Sequence, residues 1–128
     1  MRKKAIIILI IFFSLSIVFH IGVIAGIVPD SIVWGGNAKS KNEIYKLETV
    51  SIVLNLLFLL FALVLNNTIK IQLHTFIKKT LLWLMSALFI LNTIGNLLAK
   101  SKLETILFTP ITLLLSTTCL YLAIKKDN

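Results

Sequence analysis

Acidic residues are scarce in this chain of 128: five Asp and Glu stand against thirteen Lys and Arg, for a formal net charge of +8. Charged side chains make up 14% of the sequence, where soluble globular domains carry about 25%. Cysteine is nearly absent, and Cys119 alone rules out an internal disulfide, dithiol chemistry and a zinc ribbon. His20 and His74 fall at opposite ends of the predicted spans, so they cannot share a metal ion. With two prolines and five glycines the chain has no Pro/Gly-rich linker. It also lacks a glycine-rich phosphate loop and an activated-serine motif. No cofactor is expected.

Apolar residues are what the chain has in excess. They form 58% of it, against about 45–50% in globular proteins, and the mean hydropathy is +0.98. They fall in runs close to the roughly 20 residues that cross a bilayer as a helix. Unpaired backbone groups are not tolerated in lipid, so such runs are helices. The expected fold is an all-α membrane protein, a four-transmembrane-helix bundle forming a single membrane domain over residues 1–128. Its spans are 5–28, 41–66 with an apolar part at 49–65, 79–99 and 103–124.

Placement of the basic residues sets the orientation. Arg2, Lys3, Lys4, Lys70, Lys78, Lys79, Lys125 and Lys126 lie on one side of four crossings, and Lys39, Lys41, Lys46, Lys100 and Lys102 on the other. The positive-inside rule then puts both termini in the cytoplasm. Because the positive charges cap apolar runs and form no basic face with interleaved aromatics, nucleic acid is not an expected partner. Twelve of the thirteen basic residues are lysine, a usage common in AT-rich bacterial genomes, and the expected location is the bacterial plasma membrane. The first span is read as a retained helix. Val23-Ile24-Ala25 offers small residues before a cut, but the run exceeds the 7–15 apolar residues of about the usual signal peptide.

Local signals refine the spans. Ser40-Lys41-Asn42-Glu43 reads as a capping box that starts the second helix ahead of its apolar run. Pro29 ends the first span, and Trp34-Gly35-Gly36 makes a turn with an indole suited to the headgroup layer. Pro110 is read into the first turns of the fourth helix, where its missing donor costs little.

Polar residues inside the spans share one depth. His20 stands about 24 Å from Lys4 along its helix, and Asn92 and Asn96 about 20 and 26 Å from Lys79. Asn55 stands about 10 Å below Glu48, and Thr109 and Thr112 about 8 and 12 Å below Glu104. Residues three, four or seven apart share a helix face. That rule gathers Lys41, Glu48, Ser51 and Asn55 on the second helix, and Asn92, Asn96 and Lys100 on the third. Thr105, Thr109, Thr112, Ser116 and Cys119 form the stripe on the fourth, and Ser16 and His20 that on the first. Convergence of these stripes would make an outward-facing polar pocket. Its candidate ligand-binding residues are His20, Trp34, Glu48, Ser51, Asn55, Asn92, Asn96, Lys100, Thr109 and Thr112.

The same residues serve equally as interhelical glue. No Asp, Glu, Lys or Arg lies at the centre of a span, where ion and proton pathways place them. The case for catalysis therefore rests on His20 as acid or base beside Glu48, and an enzyme is not the favoured reading. Small-residue pairs at Gly22 and Gly26, and at Gly95 and Ala99, permit close helix approach within the bundle or in a homo-oligomer.

Trp34-Gly35-Gly36, the stretch from Asn92 to Lys100 and Phe108-Thr109-Pro110 resemble segments of small bacterial four-helix integral membrane proteins without an assigned function. The resemblance implies a compact four-span fold and brings no activity, cofactor or partner. Four-span drug exporters carry an acid in the first helix, where this chain has His20, so their function is not carried over. Four readings stay open: binding of a small amphiphile or lipid headgroup, a structural or assembly factor, an oligomeric transport subunit, and an intramembrane enzyme. The expected partners are membrane lipids and a small amphiphile.

Overall fold

The computed structural model of the chain describes residues 1–126. They form four long helices: α1 (Arg2–Ile24), α2 (Lys41–Leu65), α3 (Thr75–Leu97) and α4 (Lys102–Ile124). Two single-turn 3-10 helices, Asp30–Ile32 and Trp34–Gly36, lie between α1 and α2. Each long helix is long and apolar enough to cross a membrane.

The helices run up and down, so one end of the bundle holds both termini and the α2–α3 connection. The distal end holds the α1–α2 segment and the α3–α4 turn. α1 packs against α2 and α3 against α4, and α1 also touches α4. Bulky apolar side chains face outward as well as inward, among them Val18 at 66% exposure, Leu91 at 66% and Ile106 at 67%. A surface of that kind matches a hydrocarbon solvent rather than water.

Helix ends follow local chemistry. α1 stops at Ile24, ahead of Pro29, because Gly26 takes φ +77° as the residue after the cap. Ile27 N–H then donates to Gly22 O at 2.9 Å and Gly26 N–H to Val23 O at 3.1 Å, closing a Schellman motif. α2 ends the same way on Asn67, φ +60°, with Thr68 N–H donating to Leu63 O. At the start of α2, Ser40 Oγ accepts from Glu43 N–H at 3.2 Å. Glu43 Oε2 accepts from Lys39 N–H at 2.6 Å, one residue earlier than a strict capping box requires. α3 begins at Thr75, earlier than its apolar run, since His74 Nδ1 accepts from Phe76 N–H at 3.2 Å. Lys78 and Lys79 are thus helical. Ser101 caps α4, accepting from Glu104 N–H. Pro110 sits well inside α4 rather than in its first turns, so the Ile106 carbonyl loses its helical donor.

The main core lies toward the terminal end. Leu9, Phe13, Ala62, Leu82, Cys119 and Leu122 are essentially inaccessible there. Phe13, Phe58 and Phe89 pack ring to ring at centroid distances of 5.5–5.9 Å, which ties α1, α2 and α3 together. A smaller cluster of Val23, Val33 and Ile44, flanked by Phe19, Val28, Ile32 and Ala38, closes the distal end. Phe19 also meets Phe108 edge to face at 5.1 Å, joining α1 to α4.

A polar ladder fastens α3 to α4. Ser86 Oγ donates to Ser116 O at 3.0 Å, and Ser116 Oγ donates to Ser86 O at 3.0 Å. Thr93 meets Thr112 at 2.9 Å, Asn96 Nδ2 reaches Thr112 Oγ1 at 3.3 Å, and Thr105 Oγ1 donates to Asn96 O at 2.7 Å. The polar stripes therefore join in two pairs, α1 with α2 and α3 with α4, and do not converge on one axis. Burial explains why: the interior of the bundle is filled by leucine and phenylalanine, and hydroxyls and carboxamides find partners across each hairpin.

Candidate functional site

Glu48 lies two turns into α2 on the same face as Ile44 and Ser51, the face that turns toward α1. Its side chain is wholly buried, at 0% exposure. A buried carboxylate needs hydrogen-bond donors for both oxygens, and two other elements supply them. Oε2 lies 2.5 Å from Nδ1 of His20 on α1, and Oε1 accepts from Trp34 Nε1 at 2.7 Å. Three segments distant in sequence thus meet on one side chain.

The carboxylate fixes the histidine tautomer. As an acceptor it requires the proton on Nδ1, which leaves Nε2 as the ring atom open to a further partner. His20 is 17% exposed, so the ring is not sealed. Phe19 packs edge to face on it at 5.5 Å. Trp34 reaches Glu48 from a left-handed backbone, φ +56°, which is costly for a bulky side chain and persists only where the surroundings hold it. The indole bond to Glu48 is one such restraint. Gly36, φ +69°, is another, because it lets the segment turn back close to Ser31 and Lys100.

One turn beyond this triad lies a cleft of about 180 Å³ between the end of α1 and the start of α2. Val23 and Ile24 follow His20 by three and four residues, and Ile44 and Tyr45 precede Glu48 by four and three. The apolar walls are therefore the same helix faces that carry His20 and Glu48. Asp30 and Lys41 put one charge of each sign on its lining. On the other side of Tyr45 a shallower groove runs past Asn42, Lys46, Thr49 and Val50.

The residues singled out from sequence separate into groups. His20, Trp34 and Glu48 come together, and Ser51 is buried on the Glu48 face. Asn55 is half-buried and donates to Ser51 O of its own helix at 2.8 Å. Asn96 and Thr112 belong to the α3–α4 ladder. Thr109 is half-buried, and its hydroxyl oxygen is buried with no hydrogen-bond partner among the described residues. Asn92 and Lys100 are exposed, so Asn92 stands outside any pocket within the bundle. Thr93, its neighbour, is the buried residue that bonds α4.

Sequence reasoning passed over Asp30 and Tyr45 as site residues, and it placed Lys41 on the Glu48 stripe without assigning it a role. The interval of seven between Lys41 and Glu48 was the available signal. Among the described residues no third His, Cys, Asp or Glu joins His20 and Glu48 to make a metal-binding set. Comparison of the chain with protein-family models, curated proteins and solved structures yields no match.

Proposed function

We propose that this is a multi-pass protein of the bacterial plasma membrane that holds the polar head of a small amphiphile at its outward, distal end. The basic residues favour that orientation, eight at the terminal end against five at the distal end. The observation that carries the reading is a cleft one helical turn beyond the triad of His20, Glu48 and Trp34, walled by the same faces of α1 and α2. Binding sites work when their walls are fixed before the ligand arrives. Here the triad pins α1, α2 and the connecting segment, so both walls and one rim are held by buried, charge-assisted bonds. A polar head lodged beside Asp30 and Lys41 would leave its tail against the exposed apolar flank of α2, where Val50, Val53 and Leu57 are more than half exposed.

The test is native mass spectrometry of the protein released from nanodiscs of total bacterial lipid. The expected result is a chain carrying one defined adduct, lost in Ile24→Trp, which fills the cleft from an exposed position without touching the triad. A bare chain at every activation energy, or an adduct indifferent to Ile24→Trp, would overturn the reading.

A second reading, acid–base chemistry on the bound amphiphile, is favoured by the 2.5 Å contact between His20 Nδ1 and Glu48. A carboxylate-held imidazole presents Nε2 as a positioned base. Incubating the retained amphiphile with wild type and His20→Gln, and weighing it afterwards, decides the matter. Recovery of the same mass from both removes the catalytic reading.

A further inference from the structure

We propose that the α1–α2 cleft selects a zwitterionic phospholipid headgroup, a phosphodiester carrying a primary ammonium, with Lys41 on the phosphate and Asp30 on the ammonium. This rests on the amphiphile reading above and names the class of head. The cleft lining holds one carboxylate and one ammonium, and among the described residues neither side chain has an ion pair or hydrogen bond. Every other lining residue is uncharged: Val23, Ile24, Gly26, Val28, Pro29, Ile44 and Tyr45. A head with a single negative charge would meet Asp30 as a repulsive neighbour, and a head with a single positive charge would meet Lys41 the same way. A zwitterion satisfies both.

Size and donor chemistry narrow the class. The cleft of about 180 Å³ is smaller than the roughly 300–1,000 Å³ of pockets that enclose drug-sized ligands, so it suits a compact headgroup whose tail stays outside. A primary ammonium donates N–H bonds to a carboxylate, and charge-assisted bonds of this kind are the strong ones. A trimethylammonium has no N–H and relies on aromatic cages, whereas this cleft offers only the Tyr45 ring. The Tyr45 hydroxyl is a further donor for the phosphate. Lys41 stands in the first turn of α2, where backbone N–H groups already favour an anion.

The experiment uses the full chain in nanodiscs holding equal fractions of phosphatidylethanolamine, phosphatidylglycerol and phosphatidylcholine, read by native mass spectrometry. Wild type should retain the ethanolamine lipid about tenfold over either competitor, the ratio that one charge-assisted bond supplies. Asp30→Asn should abolish that preference, and Lys41→Gln should lower retention of all three. Both positions are exposed, so neither substitution should move the unfolding transition measured on the same samples. Equal retention of the three lipids, an unchanged order in Asp30→Asn, or unchanged retention in Lys41→Gln overturns the headgroup assignment and leaves the amphiphile reading standing. Absence of any lipid adduct overturns both. Displacement of the lipid by an equal concentration of soluble phosphoethanolamine would show that the tail adds nothing, assign the site to a soluble ligand and overturn the lipid source. Retention of the lipid under that challenge supports it.

Discussion

Replacing Glu48 tests whether the triad holds the distal end together. Its two oxygens accept from His20 Nδ1 at 2.5 Å and Trp34 Nε1 at 2.7 Å, and the Glu48 side chain itself has no solvent access. Glu48→Ala strands the donors of the partly exposed His20 and Trp34 and opens a void in the buried space Glu48 fills. Breaking a buried, hydrogen-bonded pair from one side costs about 3–5 kcal/mol. Glu48→Gln keeps the shape but has one acceptor oxygen for two donors. The carboxamide oxygen can stay on the Trp34 indole. Its NH₂ then faces Nδ1, and the imidazole meets it by moving its proton to Nε2. Two charge-assisted bonds become two neutral ones, a loss of about 2 kcal/mol. The order is therefore wild type, Gln, Ala, with steps large enough to resolve.

The assay is reversible unfolding in mixed micelles as the SDS fraction rises, followed by Trp34 fluorescence. A Trp83→Phe background isolates that signal, and Trp83 is 52% exposed and outside the core. In that background Trp34 emission should also shift to the red in Glu48→Ala, because the indole N–H loses the Glu48 oxygen that holds it to α2. Equal losses for Gln and Ala would show that the carboxylate's charge-assisted bonds alone set the stability of the site, and a loss confined to Ala would show that the volume it fills does. A loss below about 0.5 kcal/mol for Ala, the scatter of ordinary surface changes, would refute the reasoning outright.

Other positions give sharper or weaker responses that the same unfolding assay reads. Ser86→Ala and Ser116→Ala each remove one of two reciprocal bonds and should cost about 1 kcal/mol apiece. Their hydroxyls also contact each other at 3.2 Å, so the double variant should lose less than the sum. Gly36→Ala should cost about 1 kcal/mol from its φ of +69° alone, since the nearest atom to the added carbon is 3.7 Å away. Asn92→Leu should stay within about 0.5 kcal/mol of wild type, whereas Thr93→Val loses the 2.9 Å bond to Thr112 and should cost about 1 kcal/mol. The reverse order would mean that α3 is rotated from the orientation described.

That contrast shows where the sequence was legible and where it was not. Span number followed from apolar run length, and the start of α2 from Ser40 and Glu43, because both are local and chemically marked. Rotation of each helix is not local. Asn92, Asn96 and Lys100 recur at strict intervals of four, and at 3.6 residues per turn each step drifts by about 40°. Asn96 therefore reaches α4 while Asn92 has turned away, and Lys100 lies past the helix end. The Lys41 to Glu48 interval of seven drifts by only about 20°, so that stripe did stay on one face.

His20 is the odd residue inside an apolar run, but Glu48 stands just before one, where a carboxylate is ordinarily solvated, so sequence offered the two only as a candidate acid–base pair and not as a buried contact. Trp34 could not be placed as the second donor. Its reach depends on a left-handed backbone that tryptophan rarely adopts and that nothing in Val33-Trp34-Gly35 announces. Helix pairing was hidden for a related reason. Bulky apolar side chains face outward as well as inward on these helices, so hydrophobicity alone does not mark the inner face, and hydroxyls choose partners only once two surfaces meet. In such a chain the few groups that cannot remain unpaired decide the assembly. Glu48 ties α1 and the connecting segment to α2, the serine and threonine ladder ties α4 to α3, and the shared core with Phe89 against Phe13 and Phe58, and Phe108 against Phe19, joins the halves. At the seam between the two hairpins rings and aliphatic side chains interlock, and there the fit of their shapes sets the register.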